Sequence, residues 1–187
     1  MNKTYGDRGS YRMREKMAKS TKEEVLKTIA AALPGEVKAS SLVIDSLRSY
    51  DEPFSLSYDL KFDFTEDVVY FNPLLGEAMK KNPFSSARRL YPVEMPSKMN
   101  EVYILNMEIP KGYAVDEMPK SVRFKLNDTD GMFEYLVSKS AERLQMRCRI
   151  ALNKANFANE DYESLREFFS FVIQKQGEQI VFKKIKS

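Results

Sequence analysis

The chain has 187 residues, 43% of them apolar, and its 30 basic and 27 acidic side chains leave a net charge of +3. That is enough apolar material for one large domain or two small ones, and so even a charge balance gives no electrostatic case for nucleic acid as the partner. Histidine is absent and cysteine occurs once, at Cys148, which excludes imidazole-activated nucleophiles, His-ligated zinc and an intramolecular disulfide.

Residues 1–10 are polar and hold no apolar secretion signal, and no run elsewhere is long and apolar enough for a membrane-spanning helix. Over residues 11–33, Met17, Val25, Ile29 and Leu33 recur at roughly helical spacing among Lys, Arg and Glu, which predicts an amphipathic helix. Ser20 and Thr21 stand three residues before Glu23 and Glu24, a capping-box spacing at which the helix can break and restart, and Pro34 and Gly35 end it.

The period then changes to two. An irregular strand over 37–47 is followed by Leu56, Tyr58, Leu60, Phe62 and Phe64 alternating with polar residues, and by a short strand at 68–71. Pro73, Pro83, Pro92 and Pro96 remove backbone donors and make 72–98 an extended connection, with one helical turn near 76–80. Four strand-like runs come next, at 101–109, 121–126, 132–138 and 143–152, with 127–131 as a hairpin loop. In the last run Leu144, Met146, Cys148, Ile150 and Leu152 share one face, and Arg143, Gln145, Arg147 and Arg149 the other. A helix over 159–176 carries Tyr162, Leu165, Phe168, Phe169, Val172 and Ile173 on one stripe, Gly177 stops it, and 179–185 is a closing strand.

The expected fold is α+β and mainly antiparallel. A helix-plus-strands unit over 1–72 leads through a proline-rich connection at 73–98 to a sandwich-like C-terminal unit over 99–187 with one packed helix.

The chemistry-bearing residues point away from catalysis. The seven glycines form no phosphate-binding loop. Cys148 lies on the apolar face of the most regular strand, where packing is the plainer role. Asn127-Asp128-Thr129-Asp130-Gly131 resembles the start of a calcium loop but supplies only part of the ligand pattern, and it reads more simply as a turn. The carboxylate pairs Asp51 with Glu52 and Glu160 with Asp161 are better explained by solvation and a helix N-terminus than by acid-base work on a sugar. Arg123, Lys125, Arg147 and Arg149 form a candidate interaction patch if their strands share a sheet and a face. With Glu134 on the intervening run, a merely solvated face is the simpler expectation. The expectation is a non-enzyme with no cofactor and no metal, a protein as partner, no nucleic acid and no membrane insertion.

A further expectation comes from resemblance. Asn82-Pro83-Phe84 with Arg89 and Tyr91-Pro92-Val93, Ile109-Pro110 with Gly112-Tyr113, Pro119-Lys120, Tyr162 with Leu165-Arg166-Glu167-Phe168-Phe169, and Lys175-Gln176 through Glu178-Gln179-Ile180-Val181 resemble, in order and spacing, the last domain of transglutaminase-like proteins of the Gram-negative envelope. The likeness covers 82–184, and the first seventy residues look like the stretch that joins the papain-like core to that domain. It implies a non-catalytic accessory or interaction module, in the periplasm or cell envelope, whose parent carries a Cys-His-Asp triad upstream; none of that triad stands in this chain. The alternative is a stand-alone binding module for a peptide or an envelope polysaccharide. A deep pocket lined by aromatic residues with a few convergent polar groups would favour that alternative.

Overall fold

A computed structural model describes residues 1–5, 7–33 and 37–185. In chain order the elements are β1 (Asn2–Tyr5), α1 (Asp7–Ala18), α2 (Lys22–Ala31), β2 (Val37–Asp45), β3 (Phe54–Phe62), β4 (Val68–Phe71), β5 (Val93–Glu94), β6 (Met99–Glu108), β7 (Tyr113–Glu117), β8 (Val122–Lys125), β9 (Gly131–Lys139), β10 (Arg143–Leu152), β11 (Asn156–Phe157), α3 (Tyr162–Gln176) and β12 (Ile180–Lys184). The fold is α+β, and its strand pairs are antiparallel. No helix of the described residues is long and apolar enough to cross a membrane.

A seven-stranded sheet in the order β2-β3-β1-β6-β10-β9-β8 runs through both halves of the sequence. Its register aligns one row of side chains across the strands: Leu56, Lys3, Tyr103, Cys148, Tyr135 and Val122 stand opposite one another in turn. Because paired residues point the same way, this row marks the inner face. Two separate covers bury that face. Over β8, β9 and β10 lies α3, whose Phe168 stacks on Phe124 and whose Phe171 packs on Phe124 and Phe133. The small sheet β4-β12-β7 joins this core through Phe71, Tyr113 and Phe182, with Phe62 and Phe64 reaching in from β3 and beyond. Over β1, β2 and β3 lie α1 and α2, which close a smaller core of Met17, Val25, Leu42, Phe54, Leu56 and Tyr58.

The N-terminal helical pattern resolves into two helices. The Thr21 hydroxyl accepts from the Glu24 N–H at 3.2 Å, and the Thr21 N–H donates to Glu24 Oε2 at 2.8 Å, so α2 begins on a full capping box. The first helix starts at Asp7, four positions before the expected start at Tyr11. The expected stop at Pro34 and Gly35 lies outside the described residues. Four strands escaped the sequence reading. β1, β5 and β11 are too short and polar to show a period, and β7 is mostly exposed, with only Tyr113 buried.

The proline-rich connection is a strap docked on α3. Asn82 Nδ2 donates to the Arg166 carbonyl and to Ser170 Oγ, both at 2.9 Å, while Asn82 Oδ1 accepts from the Phe84 N–H. The Phe84 ring packs edge-on against Tyr162 and tilted on Phe169. The Tyr162 hydroxyl donates to the Ser86 carbonyl at 2.8 Å, and Gln176 Oε1 accepts from the Met79 N–H at 2.8 Å. Replacing Asn82 with Ala deletes three of these bonds and strands partly buried partners. We expect a loss of about 1–3 kcal/mol in urea unfolding, with Asn82→Asp, which keeps the acceptor and loses the donors, falling between.

Candidate functional site

Between the two covers the inner face holds a groove of about 360 Å³. Its floor is the β1–β3 part of the sheet: Met1, Lys3, Tyr5, Leu56 and Tyr58. One wall is helical and mostly apolar, with Met13, Met17, Val25 and Ile29, and the other is the turn Leu75-Gly76-Glu77 that opens the strap. Leu75 has a φ of 55°, left-handed backbone that a side-chain-bearing residue adopts at a cost of about 1 kcal/mol or more. The turn brings Glu77 against Lys3, and the two form an ion pair at the groove floor.

The charged pair sits beside two tyrosines. Lys3 Nζ lies 4.6 Å from the centroid of the Tyr5 ring. The Tyr5 and Tyr58 hydroxyls form no hydrogen bond among the described residues, and neither oxygen is sealed away from solvent, so both are open to the groove. Burial, reinforced by the nearby Glu77 carboxylate, pushes both phenols well above their ordinary range, so both are neutral donors at physiological pH. Sequence reading missed this site. The one available signal was Lys3, a charged residue in register with Leu56 on the buried row, and that register is invisible before the strands are paired.

Arg123, Lys125, Arg147 and Arg149 do share one sheet and one face, the outer one. They are not a free positive field. Glu134, only 5% exposed, stands between them; its carboxylate pairs with Arg147 and accepts from Arg123 Nε at 2.8 Å. Arg149 Nε donates to Asn100 Oδ1 at 3.0 Å, and Lys125 Nζ lies 3.4 Å from Asp128. Each cation therefore already has an oxygen partner, which weakens the pull on an incoming acidic group.

The remaining chemistry-bearing residues are occupied structurally. Cys148 is buried, its thiol is pushed up to about 11 by burial, and Gln176 Nε2 lies 3.5 Å from its sulfur. In that state it is a protonated packing group rather than a nucleophile. In the loop after β8, Asn127 Oδ1 accepts from the N–H groups of Thr129 and Asp130, and the Asp130 carboxylate is held by Lys154 Nζ at 2.7 Å. Those oxygens close a turn on itself, and a lysine occupies the place a cation would take. Glu52 accepts from Ser46 Oγ at 2.8 Å, and Asp161 lies 3.5 Å from Lys154. Arg14, buried at 5% exposure, holds the loop before β3 by donating to the carbonyls of Ser46, Ser49 and Glu52.

Fold and groove define an antiparallel α+β domain with an apolar cleft at a seam between two covers. The family model of a domain of unknown function, DUF3858, matches residues 67–182. The chain belongs to that family, whose description assigns no activity and no partner. The matched span holds the strap, α3 and most of the larger core, and it leaves out the helices and strands that make most of the groove. No curated protein and no solved structure matches the chain.

Proposed function

We propose that the chain is a non-catalytic interaction module that engages a protein partner through the groove between its two covers. In the setting the sequence resemblance implies, the partner is the papain-like core of a transglutaminase-like envelope protein. The finer description of the fold, a sandwich-like C-terminal unit preceded by a helix-plus-strands unit, belongs to this reading. The observation that carries it is the groove: a mostly apolar cleft that also carries polar side chains, Lys3, Tyr5, Tyr58 and Glu77 among them, the composition expected of a binding site. Methionines on its floor and wall suit it to apolar side chains of varied shape.

The test is calorimetric titration of the chain with a separately produced papain-like core from such a protein. We expect binding that weakens at least tenfold in Ile29→Arg, which places a charge in the groove wall, and is unchanged in Arg143→Ala on the outer face. Equal binding by wild type and Ile29→Arg, or no binding at all, overturns the proposal. The stand-alone reading keeps one specific support, the two tyrosines with convergent polar groups, and is favoured if short peptides fill the groove with no core present.

A further inference from the structure

We propose that the free edge of β4 pairs antiparallel with the same edge of a second copy of this chain, joining their two small sheets into one. The edge lies within the family-matched span and away from the groove, so the inference does not depend on the reading of the groove given above.

A sheet edge with unpaired backbone groups takes up another strand unless something blocks it, and the other edges of the two larger sheets are blocked. At the ends of the seven-stranded sheet, β2 is broken by a bulge after Ser40, where Ser41 turns left-handed at a φ of 57°, and β8 presents Arg123 and Lys125. In the small sheet, β7 ends in Asp116 and Glu117, and Lys139 Nζ donates to the Val115 carbonyl at 3.1 Å. The edge that is left is β4, Val68-Val69-Tyr70-Phe71, which carries no charge, no proline and no bulge. The Lys184 N–H donates to the Asp67 carbonyl at 2.9 Å, and from there the register runs unbroken through Val69 opposite Phe182 and Phe71 opposite Ile180. Backbone groups alternate in direction along a strand, so those of Val69 and Phe71 face β12 and those of Val68 and Tyr70 face outward. Val68 and Tyr70 are 39% and 67% exposed, and their outward groups bond to nothing among the described residues.

This edge is complementary to itself. With a twofold axis through Val69, Val68 of each copy stands opposite Tyr70 of the other, and each such pair exchanges two backbone hydrogen bonds. The same register lays the Tyr70 ring between Val181 of its own sheet and Val68 of the other copy, an aromatic pairing with a β-branched neighbour that stabilises antiparallel strands. It also sets Asp67 opposite Phe71 and Glu66 opposite Asn72, so the acidic residues that precede the strand meet no like charge. So short a contact belongs to the weak class of interfaces, half-formed at roughly 0.1 mM.

Sedimentation of the full chain from about 10 µM to about 1 mM should show a mass that climbs from monomer toward dimer. The amide signals of Val68 and Tyr70 should shift over the same range, while those of Arg123 and Lys125 on the β8 edge stay in place. Tyr70→Pro removes an outward donor from each copy and leaves the bonds to β12 intact, so it should weaken self-association at least about tenfold, with thermal unfolding showing that the variant is folded. Val68→Glu/Tyr70→Glu sets carboxylates opposite one another and should remain monomeric. Val68→Glu/Tyr70→Lys sets a carboxylate opposite an ammonium and should restore association to within a few-fold of wild type. A wild-type chain that stays monomeric throughout overturns the proposal and leaves the edge to an extended segment of a different protein. A dimer that survives both Tyr70→Pro and the double Glu variant overturns it too, as does a Glu/Lys variant that associates no better than the double Glu one.

Discussion

Truncating Phe168 to Ala should cost about 3–5 kcal/mol, the range for emptying a fully buried aromatic site, and should remove much of a total stability expected to be about 5–15 kcal/mol. Phe168 has no solvent exposure. Its ring stacks on Phe124 from the sheet edge, at 5.9 Å between centroids, and meets Phe169 edge-on at 5.4 Å. Neighbouring aromatics are rigid, so the space left by the ring would collapse only in part. Urea unfolding checks the expectation, with Tyr91→Ala as the control. Tyr91 is 77% exposed, and its loss should stay within about 0.5 kcal/mol. A Phe168→Ala variant that unfolds within 1 kcal/mol of wild type would mean that α3 is not seated on the sheet as described.

The second large effect is alkaline instability. Burial raises the Cys148 thiol from 9.0 to about 11. Below pH 9 the thiol is protonated in both folded and unfolded chains, and its contribution is fully present. Between pH 9 and 11 the unfolded chain releases the proton while the folded chain holds it, so stability falls; above 11 both are ionised and the slope ends. That rise corresponds to about 2–3 kcal/mol. Tyr103 and Tyr135 are raised in the same direction, again chiefly by burial, and their contributions are lost as the pH climbs past the ordinary tyrosine range. Urea midpoints measured from pH 7 to 11 should therefore drop steadily above pH 9, and Cys148→Ala should flatten the first part of the drop. The Tyr135 hydroxyl is buried without a partner, so Tyr135→Phe should leave stability at pH 7 unchanged or raise it, and should also soften the alkaline loss. A flat profile to pH 11 would contradict the burial of these groups.

Much of the larger core could be read from the chain because its elements carry their own periods. The alternation from Leu144 to Leu152 became the buried face of β10, and the stripe from Tyr162 to Val172 became the buried face of α3. That helix also buries Lys175 and Gln176, which no hydrophobicity pattern marks. Lys175 pairs with Glu178 at 2.6 Å over the Tyr135 ring, and Gln176 bonds the strap. Asn82, Phe84, Tyr162 and Arg166, which carry part of the family resemblance, turn out to be the residues that fasten strap to helix. The groove was not legible, because it belongs to no single element. It exists where β1, two helices and a three-residue turn, far apart in sequence, leave a seam uncovered. The basic residues of the outer face were a candidate patch only if their strands shared a sheet and a face, with Glu134 on the intervening run; spacing alone could not show that Glu134 is buried and pairs with two of them.

The position of β1 has a further consequence for the order in which the molecule assembles and opens. This strand of four residues lies between β3 and β6, so the sheet is continuous only once residues near 3 have met residues near 56 and near 103. Closing such long loops is entropically slow, and a bridge this short is also the natural line of parting. If β1 lets go, the sheet divides into a hairpin and a four-stranded remainder, and the floor of the groove vanishes with it. Amide exchange in β1 should accordingly be faster than in β9 or β10, and an occupant of the groove should slow it, joining the two halves of the molecule as a keystone joins an arch.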